Sequence, residues 1–179
     1  MNKISFIGTR EFSSLGSQVQ EMYLESVTWA VQWGYTVSTG AAKGADQVAA
    51  NRAIKLGGSL VLYLPWWGYE KEWIQSLPGG VEYTVYSPKA HPSWGESVGE
   101  FHPNPKALSR GARALHARNF GIIEGSKAVI AVSRKGQGGT AQGLRIARSL
   151  GIPTFDLFFE ADRASLRGKM RSHPSPKRS

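Results

Sequence analysis

The sequence predicts an α/β fold, with helices on both faces of a central, mostly parallel sheet. Three observations carry this reading. Short apolar runs rich in β-branched residues recur at 3–8, 59–64, 128–133 and 153–157. Stretches of helical periodicity separate them, which demands right-handed βαβ crossovers rather than hairpins. Two connections are glycine-rich, at 39–46 and 136–140. A strand, a glycine turn and a helix in that order bring backbone N–H groups and a helix N-terminus to one point.

The elements follow in order. KISFIG at 3–8 reads as a buried first strand. Over 17–33, Val19, Tyr23, Val27 and Ala30 recur at helical spacing, and Gly34 ends the helix. A second strand holds Thr36 and Val37. The next helix starts near Gly44 or Ala45, gathers Val48, Ala49, Ala53 and Leu56 near one face, and stops at Gly57-Gly58. SLVLYL at 59–64 is the third strand and 81–86 the fourth. The region 65–105 breaks the rhythm with Trp66, Trp67, Trp73, Trp94 and several Pro and Gly residues. It reads as an insertion or lid, with 90–105 a long loop. A helix over 106–124, a fifth strand at 128–133, a helix over 141–150 and a last strand at 153–157 complete the pattern.

The bulk numbers suit one domain. The chain has 179 residues, 41% of them hydrophobic, enough for a sizeable core. No apolar run reaches membrane-spanning length, and the N-terminus leads straight into a strand without a signal-peptide pattern, so a cytoplasmic location is expected. Cysteine is absent, which excludes disulfides, thiolate metal sites and a thiol nucleophile. The four histidines show no metal-ligand spacing, so neither a metal nor a cofactor is expected. The net charge of +9 is unevenly placed. Residues 1–162 hold every acidic side chain and carry only +3, whereas 163–179 hold six basic residues and no acid. The first segment is therefore read as the domain. The second is read as a basic tail, a short helix followed by disorder, and either a solvated end or an arm for a polyanion.

Four motifs bear on chemistry. Gly8, Thr9 and Arg10 end the first strand, and the carboxyl end of a central parallel strand is a binding edge. There Arg10 can meet a phosphate through two N–H groups. Thr39, Gly40, Lys43, Gly44 and Asp46 belong to the first glycine turn. It lacks the spacing of a Walker loop, but its small residues fit a backbone anion cradle. Asp46 has a helix cap as its alternative role, and Lys43 that of a solvated turn residue. Gly138, Gly139 and Thr140 form the second turn on the same predicted edge. His116-Ala117-Arg118-Asn119 lies late in a helix, with Asn119 near its apolar stripe and Arg118 off it.

In this order the motifs resemble the SLOG superfamily, a Rossmann-like group that includes the DNA-processing protein DprA and the Lonely Guy phosphoribohydrolases. The DprA branch is the nearer likeness. Its G-[ST]-R element is matched by Gly8-Thr9-Arg10 and its S-G-x-A-x-G-[IA]-D turn by 38–46. Its R-N-x-x-I element is matched by the stretch beginning Arg118-Asn119. The resemblance covers roughly 4–156 and implies a Rossmann-like three-layer sandwich, a pocket for single-stranded DNA on the carboxyl edge, and a homodimer. The phosphoribohydrolases use a motif ending in a catalytic Glu. Here Gly143 stands in that place, so no catalytic residue is assigned and hydrolysis of an N-glycosidic bond is disfavoured.

The expected function is non-catalytic binding of a phosphate-bearing ligand by the thirteen turn and helix residues named above. Single-stranded DNA is the first expectation, with exposed Trp or Tyr from the 65–94 region stacking on bases. A sensor or sequestering protein for a small nucleotide or an ADP-ribose-like signal is the alternative. No protein partner is legible.

Overall fold

The structure is a computed structural model and describes residues 1–135 and 138–174. Among the described residues six strands form one sheet: β1 (Lys3–Gly8), β2 (Thr36–Thr39), β3 (Leu60–Leu64), β4 (Glu82–Val85), β5 (Val129–Val132) and β6 (Thr154–Asp156). Their order is β4-β3-β2-β1-β5-β6, and all five pairings are parallel. The chain winds outward from β1 to β4, then returns to lay β5 on the other side of β1. The strand order thus reverses between β1 and β5, where an open α/β sheet leaves a crevice at its carboxyl edge.

The described residues also form seven α-helices: α1 (Ser17–Gln32), α2 (Ala45–Lys55), α3 (Lys71–Gln75), α4 (Pro92–Phe101), α5 (Arg110–Ile123), α6 (Gly138–Ser149) and α7 (Glu160–Ser172). Strand alternation divides the core in two. Ile4, Phe6, Val37, Leu62 and Ile130 face α1, α2 and α7, where Tyr23, Val27, Ala49, Ala53 and Leu166 meet them. Ile7, Val61, Tyr63, Val129 and Ala131 face α4, α5 and α6, against Trp94, Val98, Ala117, Ile122, Leu144 and Ile146. This is the expected three-layer α/β sandwich.

One expectation needs correction. The stretch 90–105 is not a long loop, because Pro92–Phe101 is helix α4. Pro92 occupies the first helical turn, where its missing N–H costs no hydrogen bond. Trp94 and Val98, one turn apart, are both buried. The Trp94 ring fills the space left by Gly121 of α5, where an added Cβ would come within 2.7 Å of three ring carbons. Its indole donates to Glu124 Oε1 at 2.8 Å. The short helix expected at the start of the basic tail is α7. Leu166 is buried and Met170 packs against the same core, while the basic side chains lie between them on the outward face. The indole N–H groups of Trp29 and Trp33 both donate to the His173 carbonyl, at 2.8 and 3.0 Å. Residues 175–179, the rest of that tail, lie outside the described residues. Among the described residues no helix is long and apolar enough to cross a membrane.

Helix α5 is tied to the sheet by polar side chains. Ser5 and Ser38 donate to the Ile122 carbonyl at 2.6 and 2.9 Å. The buried Lys3 ammonium donates to Gly121 O at 3.0 Å and to the Tyr63 hydroxyl at 2.9 Å. Burial lowers the Lys3 pKa to about 8, against the smaller opposing pull of Glu124. An unfolded lysine keeps its proton up to about pH 10.5, so between pH 8 and 10 the unfolded chain binds more protons than the folded one. Stability therefore rises with pH across this window through Lys3. Urea unfolding at pH 8 and pH 10 is expected to show that rise, and Lys3→Met is expected to flatten it by about 2 to 3 kcal/mol.

Candidate functional site

A cleft of about 420 Å³ opens at the crevice between β1 and β5. The loop after β1 gives Gly8, Thr9, Arg10 and Glu11, and α2 gives Asp46. One turn of α5 supplies His116, Arg118 and Asn119, and the first turn of α6 supplies Gly138, Gly139 and Thr140. Arg134, just past β5, closes the rim in an ion pair with Glu11. The first N–H groups of a helix have no partner within it, so the opening turn of α6 presents backbone donors and a positive dipole end to the cleft.

Arg118 is the centre of the arrangement. It is 5% exposed. Its Nη1 lies 3.6 Å from Asp46 Oδ2 and donates to the Tyr63 carbonyl at 3.3 Å. Its guanidinium carbon sits 5.8 Å from the centre of the Tyr69 ring. Its Nε–H is buried without a hydrogen-bond partner among the described residues. Asp46 is also buried, and that burial raises its pKa above the ordinary carboxylate value. Arg118, the Ala42 N–H, Arg10 and Thr39 each pull it back down. The outcome is a desolvated ion pair whose buried Nε–H has no partner among the described residues.

The residues expected to bind divide into two groups. Gly8, Thr9, Arg10, Asp46, Arg118, Asn119, Gly138, Gly139 and Thr140 line the cleft together. Thr39, Gly40, Lys43 and Gly44 do not. The Thr39 hydroxyl donates to the Phe6 carbonyl at 2.6 Å, inside the core. Gly44 has φ +88° and packs under the β1 loop, where a Cβ would lie 2.5 Å from the Thr9 and Arg10 carbonyl oxygens. The Ala45 N–H is taken by Thr9 O at 3.0 Å, and the Ala42 N–H by Asp46 Oδ2 at 3.3 Å. The N–H groups that an anion cradle needs are thus partly used by the protein itself. Lys43 is exposed and stands outside the lining. Asp46 makes no helix cap at its own N-terminus, since Gly44 is the cap residue and no side chain bonds there. Gly138–Thr140 form the first turn of α6 rather than a turn before it. Gly136 and Gln137 lie outside the described residues.

The position of Gly143 has a steric consequence. It lines the cleft, as its motif place requires, but an added Cβ would meet Ile7 Cδ1 at 2.8 Å and Ile123 Cδ1 at 3.0 Å. A glutamate there would need both side chains to move. Glu124 is outside the lining and holds the Trp94 indole instead. Trp66 and Trp67 are exposed, at 39% and 74%, and Trp66 stacks edge-on against Tyr69, whose ring neighbours Arg118.

Sequence reasoning left two site residues without a role. Gln142, fully buried on α6, accepts hydrogen bonds at its Oε1 from Asn119 Nδ2 at 2.9 Å and from His116 Nδ1 at 2.8 Å. The signal was a glutamine between Ala141 and Leu144 on the inward face of a helix. His116 has its pKa lowered, first by burial and then by the charges of His102, Arg118 and Arg145, with the Gln142 bond opposing. Among the described residues no group of three or more His, Asp or Glu side chains is placed to hold a metal.

The fold is shared with two solved structures. DNA processing protein A (DprA) from Streptococcus pneumoniae superposes with a TM-score of 0.59 at 18% identity, over 87% of this chain and 50% of that one. The Moco carrier protein of Chlamydomonas rheinhardtii superposes with a TM-score of 0.52 at 15% identity, over 97% of this chain and 86% of that one. This chain has their Rossmann-like fold. It spans half the length of DprA. No protein-family model matches the sequence, and no curated protein sequence does.

Gly40 tests the central pair. A Cβ on Gly40 would overlap Arg118 Nη1 and crowd Asp46 Oδ2. Gly40→Ala is expected to separate the pair and leave buried charge uncompensated, at a cost of about 3 kcal/mol in urea unfolding. The control is Gly99→Ala, whose Cβ meets nothing within 4 Å and whose stability should not fall.

Proposed function

We propose that this chain is a binding protein for a small phosphate-bearing ligand of nucleotide size, held in the cleft between β1 and β5. The observation that carries this reading is Arg118, buried, lining the cleft, and with its Nε–H unpartnered. An anion at that point would meet Arg118, the exposed Arg10 and the first turn of α6. The volume of about 420 Å³ lies in the range of small-ligand sites. The charge balance agrees: three arginines line the cleft against two carboxylates, Glu11 and Asp46. That suits one phosphate group better than a polymer of them.

The second reading, single-stranded DNA, has its own support. Trp66 and Trp67 stand exposed beside Tyr69, where bases could stack, and the fold is that of a DNA-processing protein. Against it stands the location of α7. Its C-terminal end is tied to Trp29 and Trp33, just before β2 begins. The basic helix therefore ends at the amino edge of the sheet, opposite the cleft. A carboxylate-driven hydrolase is the weakest reading, since position 143 is a glycine and a side chain there would need Ile7 and Ile123 to shift.

Calorimetric titration with nucleoside 5′-monophosphates decides between the first two. Arg10→Ala is expected to weaken mononucleotide binding roughly tenfold or more while leaving the ligand-free melting temperature in place. Lys43→Ala is expected to change neither. A single-stranded oligonucleotide that binds with a steep salt dependence, in a protein blind to mononucleotides, would replace this reading with the second.

A further inference from the structure

Three polar side chains beside Arg118 form a fixed unit that the anion does not require. Gln142 is fully enclosed, and its Oε1 accepts from both Asn119 Nδ2 and His116 Nδ1. Its Nε2 is buried with no partner. A neutral imidazole that donates from Nδ1 keeps a lone pair on Nε2. The asparagine that spends its NH₂ group on Gln142 keeps its Oδ1 as an acceptor. His116 and Asn119 both line the cleft. Burial first, and then the charges of His102, Arg118 and Arg145, lower the His116 pKa against the opposing Gln142 bond, and His102 packs edge-on at 4.6 Å.

We propose that His116 Nε2 and Asn119 Oδ1 are a pair of acceptors that reads hydrogen-bond donors on the ligand, and that Gln142 is the positioning residue that sets both. The proposal rests on the nucleotide reading above and names its ligand class: a phosphate ester of a sugar with a free vicinal diol, a ribonucleotide rather than a 2′-deoxynucleotide. Spacing selects the sugar over the base. His116, Arg118 and Asn119 lie within a single turn of α5, about 5 Å of helix. The donors that are read must therefore lie close to the phosphate. In a nucleotide these are the sugar hydroxyls; the amino groups of the base lie farther out.

The chemistry gives the discrimination its sign. A buried acceptor left without a donor loses its water and gains nothing in return, so a deoxy sugar is penalised. The same unit offers nothing to inorganic phosphate, which Arg118, Arg10 and α6 hold alone.

The test is calorimetric titration of the full chain with the four ribonucleoside 5′-monophosphates, their 2′-deoxy counterparts, ribose 5-phosphate and inorganic phosphate. The tightest ribonucleotide is expected to bind about tenfold more strongly than its deoxy form. Ribose 5-phosphate is expected to exceed inorganic phosphate by a similar factor. Gln142→Leu is expected to erase the discrimination while changing phosphate affinity less than twofold. Gln142→Glu keeps the acceptor, but its charge raises the pKa of His116. Its discrimination is expected to persist above that pKa and vanish below it. Equal affinity for ribo and deoxy forms in the wild-type protein overturns this inference alone. Absence of binding to every nucleotide and to phosphate overturns the nucleotide reading with it. A nitrogen–proton NMR correlation gives a readout independent of affinity and of variant folding. The Nδ1–H tautomer of His116 is expected, and an Nε2–H tautomer overturns the assignment.

Discussion

The buried Arg118–Asp46 pair constrains more of this molecule than any other contact. Removing two charges from water costs several kcal/mol per ion, and attraction offsets that only when the remaining donors and acceptors are also met. Here they are met in part. Asp46 takes an N–H from Ala42, and Arg118 gives one to Tyr63, but the Nε–H is left over. The pair also dictates its surroundings. Gly40 must lack a side chain because the guanidinium occupies that space. The turn after β2 must curl so that α2 starts with its second residue, Asp46, under the cleft. Helix α5 must hold its azimuth, which Lys3, Ser5 and Ser38 secure from the far end. A fold selected for stability alone would do better with apolar side chains at both positions.

The sheet explains why this pair lies where it does. With β1 central and the winding reversed between β1 and β5, the loops after these strands turn to opposite faces. The space between them is floored by strand ends and walled by α5 and α6. Side chains from three separate crossovers thus reach one point without any long loop. Close approach there needs small residues. Gly8 is one: its Cβ would overlap the Val132 side chain and lie 2.6 Å from that of Ala45. The glycines that read as signs of a phosphate site therefore have two roles, and packing accounts for several of them fully.

This is why the sequence disclosed the fold so well and the site only in part. All six strands and the order of helices α1, α2, α5 and α6 follow from apolar runs, periodicity and glycine stops, which are local signals. Helix α4 did not, because two glycines and a proline mask its Trp94–Val98 repeat, and its stability comes from the Trp94 ring seated on Gly121, a contact with α5. The turn at 39–46 misled in the other direction. Its small residues suggested an open cradle, but β1 supplies carbonyls that occupy part of it. Arg118 was placed off the apolar stripe of α5 and yet is buried, since Asp46 and the Tyr63 carbonyl give a charged group a reason to be inside. No local pattern encodes such a pairing across 72 positions of sequence.

A preformed, half-satisfied arginine has a consequence for recognition. A surface arginine must shed water and lose rotamer freedom when it meets an anion, and both oppose binding. Arg118 has shed its water on folding and is held by Asp46, Tyr63 and Tyr69. For such a group the unfavourable terms fall on the stability of the free protein rather than on a later binding step. The same reasoning fixes the part played by Asp46. A lone buried cation would be too costly to fold, and a fully paired one would have nothing to offer. At 3.6 Å the carboxylate compensates the charge without a close, linear bond to the guanidinium. Opposed to this is the basic face of α7, whose Arg167 and Arg171 are exposed and which ends at the other edge of the sheet. The most cationic segment of the chain thus lies at the opposite edge of the sheet from the cleft.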